Sequence, residues 1–141
     1  MKIRKLENAF LVRLERGDEV ISSLTTLAEQ ENIEGAFLHG LGGAEKAVIG
    51  LYRIDTDKEY HYKEFSGELE IISMNGNIAR DEDGNVMVHC HTTISGEDLA
   101  VSGGHAKELV VAGTCEIFLD TRTGTLKRVH DEDIGLKLLD L

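Results

Sequence analysis

The chain has 141 residues, a formal net charge of -11, 41% hydrophobic and 29% charged residues, the composition of one ordinary globular domain over residues 1–141. The charge opposes direct contact with phosphate backbones or anionic lipid. No apolar run approaches membrane-spanning length, and Cys90 and Cys115 form neither a CxxC pair nor a disulfide framework.

With no apolar signal segment behind Met1, the expected location is the cytoplasm. The acid falls in short clusters, Asp55/Asp57/Glu59, Asp81-Glu82-Asp83, Glu97-Asp98 and Asp131-Glu132-Asp133, which read as solvated turns.

Leu6 to Glu15 alternates as a first strand, with Phe10, Val12 and Leu14 on one face. Gly17-Asp18 ends it, and Asp18 reads as a helix N-cap. Val20, Ile21, Leu24, Leu27 and Ala28 recur at helical spacing, which predicts a helix from about Asp18 to Glu31. Glu34 to His39 and Ala44 to Ile54 read as strands around Gly40-Leu41-Gly42-Gly43. That glycine block lacks a Gly-Lys-Ser/Thr and a following helix pattern, so a strand-to-strand turn or bulge is expected, not a phosphate loop.

Glu59 to Phe65 and Gly67 to Arg80 read as two further strands, the second with a bulge or bend at Asn75-Gly76-Asn77. Asp83-Gly84-Asn85 is a hairpin turn. It leads into Val86 to Ile94, where His89 and His91 are two residues apart. On a strand such residues share a face, while Cys90 points the other way. After a turn at Ser95 to Asp98 and a short strand Leu99 to Ser102, Gly103-Gly104 is expected to bend the chain before His105. Ala106 to Leu109 suits either a helical turn or a strand. Val110 to Leu119, Thr125 to Val129 and Gly135 to Leu141 complete the set, the last as a strand or a turn of helix. The sum is an α+β fold, a largely antiparallel β-sheet with flanking helices.

The chemistry-bearing constellation is His89, His91 and His105. A His-x-His pair alone fits two satisfied or exposed imidazoles equally well. A third histidine behind two glycines favours a metal role, because glycine permits close backbone approach. Three neutral imidazoles suit Zn2+ or another divalent transition metal and leave one coordination position open. Glu70 is the one carboxylate singled out as a catalytic candidate; its alternative is a strand-edge charge or an intersubunit ion pair. His39 sits beside the glycine block, His61 and His130 read as surface residues, and Cys90 and Cys115 as core.

Several blocks together carry a family resemblance: Gly40-Leu41-Gly42-Gly43-Ala44, Ser66 to Asn77, Val88-His89-Cys90-His91-Thr92-Thr93-Ile94-Ser95, Val101-Ser102-Gly103-Gly104-His105 and Ala112-Gly113-Thr114-Cys115-Glu116-Ile117. In this order they resemble the plants-and-prokaryotes-conserved (PPC) domain family, in its stand-alone prokaryotic form. The resemblance implies an antiparallel sheet flanked by helices, a homotrimer, and a metal held by His89, His91 and His105. It also implies a regulatory or ligand-sensing role, with small-molecule or protein partners. Plant members carry an AT-hook, Arg-Gly-Arg-Pro, for the minor groove; this chain has no proline and lacks it. The competing functions are a small metal-dependent hydrolase or lyase using a zinc-bound water, and direct DNA binding. Against the latter, the basic residues form only two small groups, Lys2/Arg4/Lys5 and Arg122/Lys127/Arg128.

Overall fold

The structure, a computed structural model, describes residues 1–141. In chain order the elements are β1 (Lys2–Lys5), β2 (Ala9–Glu15), α1 (Val20–Gln30), β3 (Ala36–Tyr52), β4 (Tyr60–Arg80), β5 (Val86–Ser95), β6 (Val101–Asp120), β7 (Arg128–Asp131) and β8 (Leu136–Leu139). Six strands form one antiparallel sheet in the order β1-β2-β6-β3-β4-β5, and β5 also pairs with β6. Strands β3 to β6 therefore close on themselves, while β1 and β2 extend one side. Strands β7 and β8 form a separate hairpin.

The fold is a mostly antiparallel sheet with one short helix, so the expectation of several flanking helices is corrected. The segments read as ambiguous, Ala106 to Leu109 and the C-terminal stretch, are strand. Helix α1 buries Val20, Leu24, Leu27 and Ala28 against the sheet. That stripe joins Leu14, Ile71, Met74, Ile78, Cys90, Ile94, Leu109, Cys115 and Leu119 in one core. Burial pushes the thiols of Cys90 and Cys115 up to about 12, so both are inert packing groups.

The N-cap is Glu19, not Asp18. The Glu19 carboxylate accepts from the amides of Ile21 (3.0 Å) and Ser22 (2.6 Å), and also from the amide of Leu109 on β6 (3.2 Å). Asp18 turns back to the Glu15 amide and the chain's amino terminus. Tertiary bonding thus decides between adjacent acids.

Three glycine-marked stretches, expected as a turn or bulge, a bulge or bend, and a bend, lie within continuous strand. Gly40 to Gly43 lies inside the 17-residue β3, where the ladder shifts register between Gly40 and Gly42 without reversing the chain. Asn75-Gly76-Asn77 runs in unbroken register against His91, Cys90 and His89. Gly103-Gly104 lies inside the 20-residue β6 and makes no bend. At Gly76 and Gly104 glycine answers close approach: a Cβ would strike the carbonyl oxygen of His89 in the first case and lie 2.6 Å from that of Gly50 in the second.

The C-terminal hairpin is tied down by side chains. Tyr52 donates its hydroxyl to the Ile134 carbonyl (2.7 Å), Lys58 donates to the Asp133 carbonyl (2.6 Å), and Lys137 pairs with Asp81 (2.9 Å). No helix is long and apolar enough to cross a membrane.

Candidate metal centre

Register assembles the three histidines. On β5, His89 and His91 share a face by the two-residue repeat of a strand. On β6, His105 is the direct cross-strand partner of His91. The ring centroids lie 5.1 Å apart for His89 and His91, 5.3 Å for His89 and His105, and 5.6 Å for His91 and His105. One nitrogen from each ring falls within 4.8 Å of the others. The glycines before His105 serve the site by letting β6 lie close to its neighbours, not by turning the chain.

The electrostatics favour the neutral form of His89 and His105. Burial pushes His89 down to about 4, helped by the charge of Arg128 and then by His105 and His91. Burial, His91 and Arg128 also lower His105. His105 Nδ1 is buried without a hydrogen-bond partner. A divalent transition metal requires neutral rings with a free nitrogen, and His105 Nδ1 is one such nitrogen. The donor set therefore suits such an ion, which His89, His91 and His105 would hold.

Three neighbours of the histidines were not legible in the sequence. Asn77 on β4 lies opposite His89. Tyr60 places its ring 4.5 Å from that of His105 and stacks on Tyr62. Arg128 enters from β7, 39 residues beyond His89, and is buried. Its Nη2 donates to His89 Nδ1 at 2.9 Å and to Asn77 Oδ1 at 3.0 Å, and its Nη1 donates to the Lys137 carbonyl at 2.7 Å. A guanidinium only donates, so neutral His89 carries its own proton on Nε2. By sequence Arg128 belongs to the small basic group Arg122/Lys127/Arg128. No periodicity marks it out, and only the docking of the hairpin reveals its position.

The other candidates lie apart or at the margin. Glu70 is exposed and pairs with Ser95, five residues along β4 from Asn75, the partner of His91; within the chain it is not brought to the histidines. His39 is exposed, lies 5.3 Å from the Phe118 ring and lines a cleft of about 540 Å³ together with His89, His91, Asn75 and Asn77. His61 is exposed and bonded to Asp57 at 2.7 Å, and His130 is exposed beside Glu132.

No curated protein sequence matches the chain. Among solved structures, a metal-containing protein from Archaeoglobus fulgidus is 33% identical over the whole of both chains, with a TM-score of 0.85. A candidate DNA-binding protein from Ralstonia eutropha is 32% identical over 99% of this chain and 96% of its own, with a TM-score of 0.91. A plant- and prokaryote-conserved (PPC) protein from Pyrococcus horikoshii is 28% identical over 99% of this chain and 94% of its own, with a TM-score of 0.86. The family model of the Plants and Prokaryotes Conserved (PCC) domain, also written PPC, matches residues 1–122. By that match the chain belongs to the PCC domain family, as a domain without an AT-hook.

Proposed function

We propose that this chain is a metal-binding member of its family, in which His89, His91 and His105 hold a divalent transition metal, Zn2+ in the first instance. The observation that carries the reading is the convergence of one nitrogen from each of three imidazoles within 4.8 Å. The metal-containing description of the Archaeoglobus fulgidus relative supports it. The proposed role is ligand sensing or regulatory association by a homotrimer, reaching DNA through partner proteins.

Two features support that assembly and role. An open groove of about 960 Å³ carries exposed Ile3, Leu11, Leu41 and Ile72, an apolar face suited to other copies of the chain. The two basic groups are largely neutralised: Lys2 pairs with Glu15, Lys5 with Glu31 and Arg122 with Asp120, while Arg128 is buried. Direct duplex binding would need those charges free.

A second reading, a metal-dependent hydrolase or lyase, draws on the three-ligand count, which leaves one coordination position open. No carboxylate joins the three histidines in the cluster, so the general base that such chemistry needs is not among these groups.

Metal analysis of purified protein, with His89→Ala and His105→Ala beside it, tests the centre. Stoichiometric metal in the parent and its loss in both variants is the expected result; unchanged metal in both would remove the reading. A mobility shift on duplex DNA at low salt separates direct from partner-mediated association, because nonspecific affinity is greatest there.

A further inference from the structure

Beside the three histidines the chain buries a positive charge and gives it no counter-ion. Arg128 is only 6% exposed. Its hydrogen-bond acceptors, Lys137 O, Asn77 Oδ1 and His89 Nδ1, are all neutral, and its buried Nε–H has no partner. The other largely buried arginine, Arg80, also leaves its Nε without a hydrogen bond, but it has counter-ions: Glu29 at 3.0 Å and Glu34 at 3.7 Å. A buried charge without an opposite partner is strongly unfavourable, and buried polar groups are normally bonded. Arg128 breaks both rules at one place. That place adjoins the candidate centre, since Asn77 and His89 both line the 540 Å³ cleft. It also lies on β7, beyond residue 122 where the family match ends.

We propose that Arg128 and the three-histidine cluster form a binding site for a small oxyanion, a carboxylate or phosphate group. An oxygen of the ligand replaces His89 Nδ1 as the acceptor from Arg128. A guanidinium presents planar donors that match such a group. The inference goes beyond the metal reading, because the unpaired charge is present in the metal-free chain. The two sites are nevertheless coupled. Once Arg128 turns to the anion, His89 Nδ1 is released and the local positive charge is neutralised, so oxyanion and divalent metal each strengthen the other's binding.

The test titrates metal-stripped protein with acetate and, separately, with inorganic phosphate, following the Arg128 Nε–H resonance by 15N NMR. Saturable movement of that resonance is expected, and the probe that saturates at lower concentration identifies the ligand as carboxylate or phosphate. Asn77→Asp gives Arg128 an internal counter-ion at nearly constant shape. It should bind the same probe at least about tenfold more weakly and melt at a higher temperature than the parent. Arg128→Met, followed through the Asn77 side-chain amide resonance in both parent and variant, should lose the response. No response to either probe in the parent, or parent-like affinity in Asn77→Asp, overturns the proposal. Repeating the titration with Zn2+ present separates the two readings: failure to bind Zn2+ counts against the metal centre alone, and the stripped-protein titration still decides the oxyanion site.

Discussion

Arg128 and His89, 39 residues apart, are joined by a 2.9 Å hydrogen bond in which the guanidinium is the donor and Nδ1 the acceptor. This fixes the His89 tautomer and sets a permanent charge beside the nitrogens that would hold a cation. Histidines that bind metals usually donate their second nitrogen to a carboxylate or carbonyl; here that position is taken by a competing donor. Removing it should help the metal. Arg128→Met is expected to tighten Zn2+ at least about tenfold in oxyanion-free buffer, because two like charges at short range repel by several kcal/mol even at an effective dielectric of about 20. Competition against a calibrated chelator measures this, and an affinity unchanged or weakened would show that Arg128 does not oppose the ion.

The hairpin that carries Arg128 is held partly by the Lys137–Asp81 pair, and this pair predicts a pH dependence. The hydrogen bond from Lys137, together with bonds from Asn85, holds the Asp81 carboxyl at about 2, below its ordinary 3.8. A carboxyl lowered on folding stabilises the fold fully above its unfolded value, and the contribution fades as pH falls through the folded value. Asp81→Asn should therefore melt below the parent by a constant margin above pH 5. The margin should close between about pH 4 and pH 2. Thermal melts across that range test it, and a margin that widened on acidification would contradict the assignment.

Gly76 holds β4 against the histidine strand. A methyl group there meets the His89 carbonyl oxygen and comes within 2.9 Å of Cys90 Cα, and backbone yields little. Gly76→Ala should cost about 1–3 kcal/mol or more and weaken metal binding, since the displaced backbone belongs to His89 itself. Gly113→Ala, where a Cβ meets nothing within 4 Å, is the control, expected within about 0.5 kcal/mol of the parent. Denaturant unfolding of both variants distinguishes a local clash from a general intolerance of side chains on these long strands.

The apolar groove gives a prediction about assembly. Leu11 and Leu41 are 41% and 57% exposed on one face of the sheet, and burying them between copies removes apolar surface from water. Leu11→Asp with Leu41→Asp should convert a trimer to monomers in light scattering, with the fold retained in the far-ultraviolet spectrum. A parent that is monomeric at working concentration would remove the trimer from the account.

Much of this was legible in the sequence, though not always for the right reason. The shared face of His89 and His91 follows from strand periodicity alone. His105 was identified through its two glycines, yet what brings it in is its register opposite His91. Glycine runs read as punctuation, so β3, β4 and β6 were each divided. In the fold, bulges and close approaches let strands of 17 to 21 residues pass through those points unbroken. The helix was legible because its stripe is long and periodic. Its cap was not, because choosing Glu19 over Asp18 depends on the Leu109 amide, 90 residues away. Arg128 was the least visible, since it sits outside any pattern and gains its meaning only from Asn77 and His89.

The position of β6 also bears on how the chain is made. This strand pairs with β2, β3 and β5, and its last residue, Asp120, lies opposite both Ala9 and Phe37. During synthesis β2 therefore has no ladder partner on its inner side until Thr114, 99 residues beyond its partner Glu15, has emerged. Closure over such separations is slow compared with helix or hairpin formation. The apolar face of β2, with Phe10, Val12 and Leu14, must wait exposed for that interval. Nascent chains truncated before β6 are the species in which this protein is most open to chaperone capture or aggregation.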